Sequence, residues 1–379
     1  MPRHLFDWHV LDDAVWATHI AAALRHYRAG KTWTPAPPSR SLGLLFFNPS
    51  LRTRTSMELA GAQLGAHVTT ITTGQGTWGF AWKDGEVMDG AAAEHIREAI
   101  GVLSRYYDAL GVRVFASLTD YAQDRDETLI RTIIDAATVP VINLESAFYH
   151  PCQALGDAAT LMTHFDGHVH GKKFVLTWAY HPKALPMAVA NSALLTAARL
   201  GMDVTVARPD GYALDAGVMD QARRYAAQRG TTIDETTDQA AAFDEADVIY
   251  AKAWAGPFVY QDPDAEAERR QSLTHWRVTR ALMERTNEAA FMHCLPVRRG
   301  VVVDDAVLDG PQAIHLLQAE FRLHAQKAIL EYVWDLHEDE KRNGFLRKGE
   351  REKGGKGETS SAPSPPLSLS PSHSEVGTT

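Results

Sequence analysis

The 379-residue sequence predicts an α/β protein of two domains, each a parallel sheet flanked by helices. Short apolar runs alternate with amphipathic stretches, the alternation recurs as two successive series, and the chain is long enough for two ordinary cores. In the first series Leu42–Phe47, His67–Thr72, Ala109–Phe115 and Val139–Leu144 read as buried strands. Amphipathic stretches at Glu94–Tyr107 and Thr128–Ala137 read as helices between them. In the second series Lys173–Ala179, Asp203–Arg208, Asp247–Ala253 and Ala289–Leu295 read as strands. Helical patterns at Leu185–Leu200, Ala216–Arg229 and Asp238–Glu245 separate them. The boundary falls near His150, giving domains over 1–150 and 151–317. Gln318–His337 reads as one long terminal helix.

Composition narrows the function classes. Hydrophobic residues make up 45% and charged residues 22%, an ordinary globular balance. The formal net charge of −9 gives no global attraction to nucleic acid or anionic membrane, so any anion site must be built locally. Two cysteines, Cys152 and Cys294, exclude a disulfide framework and fit a reducing cytoplasm. The first residues show no apolar run with a cleavage site. No segment approaches the roughly 18 apolar residues that span a membrane. Residues 338–379 are rich in Lys, Gly, Ser and Pro, and their low apolar content predicts a disordered, solvated tail.

Four motifs carry chemistry. Asn48-Pro49-Ser50-Leu51-Arg52-Thr53-Arg54-Thr55-Ser56 follows a strand and opens a helix. Free backbone N–H groups at a helix start, hydroxyls at Ser50, Thr53 and Thr55, and guanidinium forks at Arg52 and Arg54 make a phosphate cradle without glycines. Alone, the same residues also read as a capped helix with two solvated arginines. His150-Pro151-Cys152-Gln153 follows the strand at Val139–Leu144, with Pro151 at a first helical position and His150 and Gln153 able to face one ligand. His293-Cys294-Leu295-Pro296 ends an apolar strand, where ligands of open α/β sheets bind; it also reads as a simple strand terminator. Gln318–His324 places Arg322 on the terminal helix. The histidines in His164-Phe165-Asp166-Gly167-His168-Val169-His170 match no standard zinc spacing, and no metal site is expected.

Taken together and in order, these motifs resemble the aspartate/ornithine carbamoyltransferase family, from about Leu42 to Trp334. The resemblance implies a first domain for carbamoyl phosphate, a second for the amine substrate, and a terminal helix packed back on the first. It implies that Ser50, Leu51, Arg52, Thr53, Trp78 and Arg322 hold the phosphate, Trp78 reaching in from a neighbouring subunit of a homotrimer with shared active sites. Arg113, His150 and Thr53 would act at the carbamoyl oxygen, Gln153 and the Leu295 carbonyl at the carbamoyl NH2, and Cys294 beside the reacting centre. A preorganised oxyanion site of this kind needs no metal or organic cofactor.

The acceptor is read from departures within the family. The Asp-x-Trp-x-Ser-Met-Gly loop of ornithine enzymes is absent; Tyr250-Ala251-Lys252-Ala253-Trp254 stands instead and resembles the N-acetylornithine and N-succinylornithine branch. Thr177–Lys183, Ala190-Asn191-Ser192, Met88-Asp89-Gly90 and Glu145 match the same branch. Lys252 suits an α-carboxylate whose neighbouring amine is acylated, Glu145 suits the attacking δ-amine, and His181 and Asn191 suit the amino-acid end. The acetyl branch places a glutamate at Ala93 and a lysine at Val302, so alanine leans the reading toward the succinyl carboxylate. Phe321 replaces the asparagine usual before Arg322. The alternatives are an ornithine carbamoyltransferase or a non-catalytic carbamoyl-phosphate-binding homologue.

Overall fold

The computed structural model describes residues 2–33 and 39–336. The strands, in chain order, are β1 (Arg40–Phe46), β2 (Ala66–Thr72), β3 (Phe80–Ala81), β4 (Glu94–His95), β5 (Ala109–Arg113) and β6 (Val141–Glu145). They continue as β7 (Lys173–Trp178), β8 (Asp203–Ala207), β9 (Ile233–Thr236), β10 (Val248–Lys252) and β11 (Ala290–Met292). The helices begin with α1 (Asp13–Ala29), α2 (Arg52–Gln63), α3 (Ile96–Tyr106), α4 (Tyr121–Arg125), α5 (Thr128–Ala136), α6 (Pro151–His164) and α7 (Ala188–Arg199). They end with α8 (Ala216–Arg229), α9 (Gln239–Phe243), α10 (Pro263–Gln271), α11 (Arg280–Met283), α12 (Asp305–Leu308) and α13 (His315–Val333).

Two large parallel sheets result, as the two strand series imply, beside the short β3-β4 pair. The first has the order β2-β1-β5-β6 and the second β11-β10-β7-β8-β9. Buried strand residues such as Leu45, Leu110, Val112 and Val141 pack with Ile96, Ile100, Ile130 and Ile133 of α3 and α5. The second core joins Phe174, Leu176, Val204, Val206, Ile249 and Phe291 with the apolar face of α7. Both orders reverse direction at their centre: between β1 and β5 in one sheet, between β7 and β10 in the other. Ligands of such sheets lie beyond the strand carboxyl ends at that reversal, which locates two crevices before any side chain is considered.

Boundaries follow local chemistry. α8 spans the residues expected because Asp215 caps its start and Gly230, at φ 72°, ends it. α7 starts later than expected, since Pro186 disfavours helix in the residue before it. Glu94 and His95 pair with Phe80 and Ala81 rather than opening α3. β9 was not expected: Ile-Asp-Glu-Thr is a polar edge strand with no apolar run. α13 begins three residues before the expected Gln318, after Ile314, which supplies no side-chain cap to announce it. Its expected end, His337, and the expected tail over 338–379 lie outside the described residues. α13 packs against α1, α2 and α6. Among the described residues no helix is long and apolar enough to cross a membrane.

Candidate active site

The loop after β1 crosses the first crevice. Asn48 Oδ1 accepts a bond from Phe115 N at 2.7 Å, tying together the segments that follow β1 and β5. Ser50 Oγ accepts from Thr53 N at 3.1 Å, which leaves the hydroxyl proton available to a ligand. Thr53 is buried on the first turn of α2, and its Oγ1 lies between two guanidinium groups. Arg322 Nη2 donates to it at 2.9 Å and Arg113 Nη1 at 3.4 Å. Arg54 departs from expectation. Two residues along a helix from Arg52, it faces outward and pairs with Glu58 at 3.1 Å.

β5 and β6 end side by side, with Arg113 in register with Glu145 across a bulge. Their side chains form a buried ion pair, and His150 Nε2 lies 3.3 Å from the same Glu145 Oε2. Pro151 opens α6, so His150 stands at its head and Gln153 one turn on, both buried. Gln153 Oε1 accepts from Arg322 Nη1 at 2.7 Å. A layer behind fixes that arrangement. Gln153 Nε2 and Gln318 Nε2 each donate to Asp157 Oδ1 at 2.7 Å, and Tyr250 Oη donates to Asp157 Oδ2 at 3.0 Å. Gly156 allows this closeness, since a Cβ there would lie 3.3 Å from Arg322 Cδ.

The second crevice supplies the other wall. Lys252 is buried at the end of β10. His181 follows β7; Arg298 Nε donates to its Nε2 at 3.1 Å, and its Nδ1 lies 3.0 Å from the Lys183 carbonyl and 3.1 Å from the Lys183 amide. After β11 the chain turns at Leu295, whose φ of 58° is in the left-handed region. Such backbone concentrates where the surroundings enforce it, often at active sites.

Side chains from both walls line one cavity of about 240 Å³. Of the expected site residues, Ser50, Arg52, Thr53, Arg113, Glu145, His150, Gln153, His181, Lys252, Cys294, Leu295 and Arg322 line it. Four cationic side chains face one carboxylate there, so the local potential is positive in a chain of net charge −9. Burial, then Arg322, Arg113, Arg52 and Lys252, holds the His150 pKa well below the ordinary histidine range, so the imidazole is neutral. Burial lowers Arg322 and Arg52 as well, and raises the Cys294 thiol against the pull of Lys252.

Four expected residues lie elsewhere. Asn191 is fully buried and donates to the Phe148 carbonyl at 3.2 Å, a bond that holds the loop before α6 rather than the cavity. The Leu51 side chain is 76% exposed, which leaves its backbone as the group near the crevice. Trp78 is 53% exposed and donates its ring N–H to Glu94 Oε2 at 2.8 Å, and Ala93 is exposed one residue before that partner. Val302 is buried in the second core, where a charged replacement would be costly. Pro49, Phe115, Leu185, Pro186, Val189 and Pro296 also line the cavity. Their adjacency to the motifs was the available signal; apolar wall residues have no other.

The fold and cavity define a two-sheet α/β protein with a positively charged pocket lined from the crevices of both sheets. Comparisons agree. The carbamoyl-P binding domain of aspartate/ornithine carbamoyltransferases matches residues 3–163, and their Asp/Orn binding domain matches 186–333. The chain belongs to the aspartate/ornithine carbamoyltransferase family. N-acetylornithine carbamoyltransferase of Xanthomonas campestris pv. campestris is 44% identical over 77% of this chain and 86% of its own. N-succinylornithine carbamoyltransferase of Bacteroides fragilis is 36% identical over the same shares, 77% and 86%. A solved N-acetyl-L-ornithine transcarbamylase, with a glutamate replaced by alanine and complexed with carbamyl phosphate and N-succinyl-L-norvaline, superposes with a TM-score of 0.84. It is 40% identical, covering 87% of this chain and 99% of that one.

Proposed function

We propose that the enzyme moves the carbamoyl group of carbamoyl phosphate to the δ-amine of an N-acylornithine, giving N-acylcitrulline and phosphate. The observation that carries this is a single cavity with three arginines at one wall and Lys252 with His181 at the other. Ser50, Arg52, Thr53 and Arg322 take the phosphate, with the Leu51 backbone. Arg113, neutral His150 and Thr53 take the carbamoyl oxygen; Gln153 and the Leu295 carbonyl take its NH2. Residues 1–150 with α13 form the donor half, and 151–317 the acceptor half.

The δ-amine, neutral at the moment of attack and held by Glu145, forms the new C–N bond while the C–O bond to phosphate breaks. Negative charge grows on the carbamoyl oxygen, where preorganised donors are each worth roughly 10²–10³ in rate. The proton shed by nitrogen leaves with the phosphate. Cys294, kept as a thiol, borders the reacting atoms without acting as a nucleophile. Lys252 favours an α-carboxylate and repels a free α-ammonium, which supports an acylated over a plain ornithine.

Ala93 and Trp78 flank a segment that also exposes Val87 and Met88. We read this segment as reaching the cavity of a neighbouring copy in a homotrimer. Alanine at 93 then leaves room for a second carboxylate, and the succinyl ligand bound by the glutamate-to-alanine relative supports N-succinylornithine. The test is kcat/KM with carbamoyl phosphate and N-succinylornithine, N-acetylornithine or ornithine. Better turnover of ornithine, or binding of carbamoyl phosphate without turnover of any amine, overturns the reading.

A further inference from the structure

Glu127 is a buried carboxylate outside the cavity. It precedes α5 with φ 56° and ψ 38°, left-handed backbone that a non-glycine residue rarely adopts. Its side chain does not cap its own helix. It turns instead to the loop that joins β6 to α6. Ser146 Oγ and Phe148 N donate to Oε1 at 2.5 and 2.9 Å, and Ala147 N donates to Oε2 at 3.1 Å. That loop has Glu145 at one end and His150 at the other, and those two side chains meet at 3.3 Å in the cavity. Further bonds converge on the same few residues. Asn143 Nδ2 donates to Ser146 Oγ at 2.8 Å, and His150 N donates to Ser192 Oγ at 2.8 Å.

We propose that Glu127, which touches no substrate, is a positioning residue that fixes the spacing of Glu145 and His150 by holding the loop between them. The inference rests on the functional reading only for what those two residues do once placed. Among the described residues Glu127 is the one side chain that gathers three donors from this loop, and its backbone conformation aims it there. Losing it frees the loop without removing any group that grips phosphate.

The proposal includes a pH dependence. Burial raises the Glu127 carboxyl to about 7, with the Ser146, Phe148 and Ala147 bonds pulling it down and Asp7 pushing it up. The facing groups are Asp7 with its partner His9, Tyr149 on the loop, and Arg125 and Asp215 beyond Tyr149. As the pH falls through neutrality the carboxyl gains a proton and Oε1 becomes a donor toward Ser146 Oγ. Ser146 then turns its own proton to the Tyr149 carbonyl, 3.2 Å away, and the hold on Phe148 N weakens.

The test compares the full chain with Glu127→Gln, Glu127→Asp and Ser146→Ala. Glu127→Gln should lower kcat roughly 10- to 100-fold, the scale of small misplacements in an active site. It should weaken carbamoyl phosphate about fivefold or more while leaving inorganic phosphate, whose proposed partners are Ser50, Arg52, Thr53 and Arg322, within about twofold by calorimetry. The acidic limb of the kcat profile near neutral pH should disappear with it. Glu127→Asp keeps the charge and tolerates the backbone, and should recover part of the loss; Ser146→Ala, which keeps the carboxylate, should show a smaller loss of the same pattern. Wild-type kcat in Glu127→Gln across the pH range overturns the proposal. So do equal losses for both phosphates, which indicate general loosening. If the wild type turns over no acylornithine the functional reading fails separately, and the contrast between the two phosphates still decides this one.

Discussion

Arg322 and Thr53, 269 residues apart in sequence, are joined at 2.9 Å in the wall of the cavity. The last long helix therefore completes a site begun by the first sheet. Gln153 holds the other fork of the same guanidinium at 2.7 Å, so both orientation and charge are fixed before a ligand arrives. Arg322→Lys keeps a positive charge but not the fork. We expect both Arg322→Lys and Arg322→Ala to lower kcat/KM for carbamoyl phosphate by about 10²-fold or more. Recovery of wild-type rates by the lysine variant would show that charge alone suffices.

Gly156→Ala offers a quieter perturbation of the same group. The new methyl lies 3.3 Å from Arg322 Cδ and 3.7 Å from its backbone nitrogen. The guanidinium must shift by a few tenths of an ångström. We expect weaker carbamoyl phosphate binding with the melting temperature lowered by only about 2–4 °C; an unchanged Kd would mean the arginine relaxes freely.

His150 gives a signed pH prediction. Its folded pKa lies well below the unfolded value of 6.5, because burial and then the arginines disfavour the imidazolium. The unfolded chain therefore binds more protons below pH 6.5, and the site costs stability increasingly as pH falls through that value. Replacing His150 with asparagine removes this cost. The melting-temperature difference, variant minus wild type, should grow between pH 7 and pH 5. A constant difference would contradict a depressed pKa.

Cys294 and Cys152 should react slowly with thiol reagents. Burial raises both, Cys152 to about 11, and the thiolate is the reactive form. At pH 8 the folded protein should label far more slowly than free cysteine, with carbamoyl phosphate slowing Cys294 further. Immediate labelling of Cys294 would point to an activated thiol and reopen its role.

Ala93→Glu tests the acyl group. A carboxylate at this position should oppose a succinyl carboxylate by about 1–3 kcal/mol, roughly 10- to 100-fold in relative kcat/KM. Preference should move toward N-acetylornithine. No change would place Ala93 away from the acyl group.

Much of this was legible because strand runs and motifs are local signals. Ser50–Thr53, His150–Gln153 and Cys294–Leu295 each sit beside a strand that sequence periodicity marks, and strand carboxyl ends are where such sheets bind. Asn191 lies off the cavity, and its amide bonds the Phe148 carbonyl: polar residues on a buried helix serve backbone carbonyls as readily as ligands. Arg54 matched the pattern by composition but not by helical phase. Glu127 was invisible, since nothing in one sequence ties an acid to a loop some twenty residues on. Trp78 and Ala93 are exposed and lie off the cavity, and the role proposed for them rests on the proposed homotrimer.

The packing of α13 onto α1, α2 and α6 bears on how the protein is made. Residues 1–164 are synthesised first, yet they lack Arg322, and the faces of α1, α2 and α6 that meet α13 stay uncovered until the last helix emerges. A nascent chain can form the first sheet early and still be unable to capture its charged substrate. Premature termination upstream of α13 should then give chains that are both inactive and prone to chaperone capture. Competence is therefore acquired late and all at once, when α13 brings Arg322 to Thr53 and Gln153.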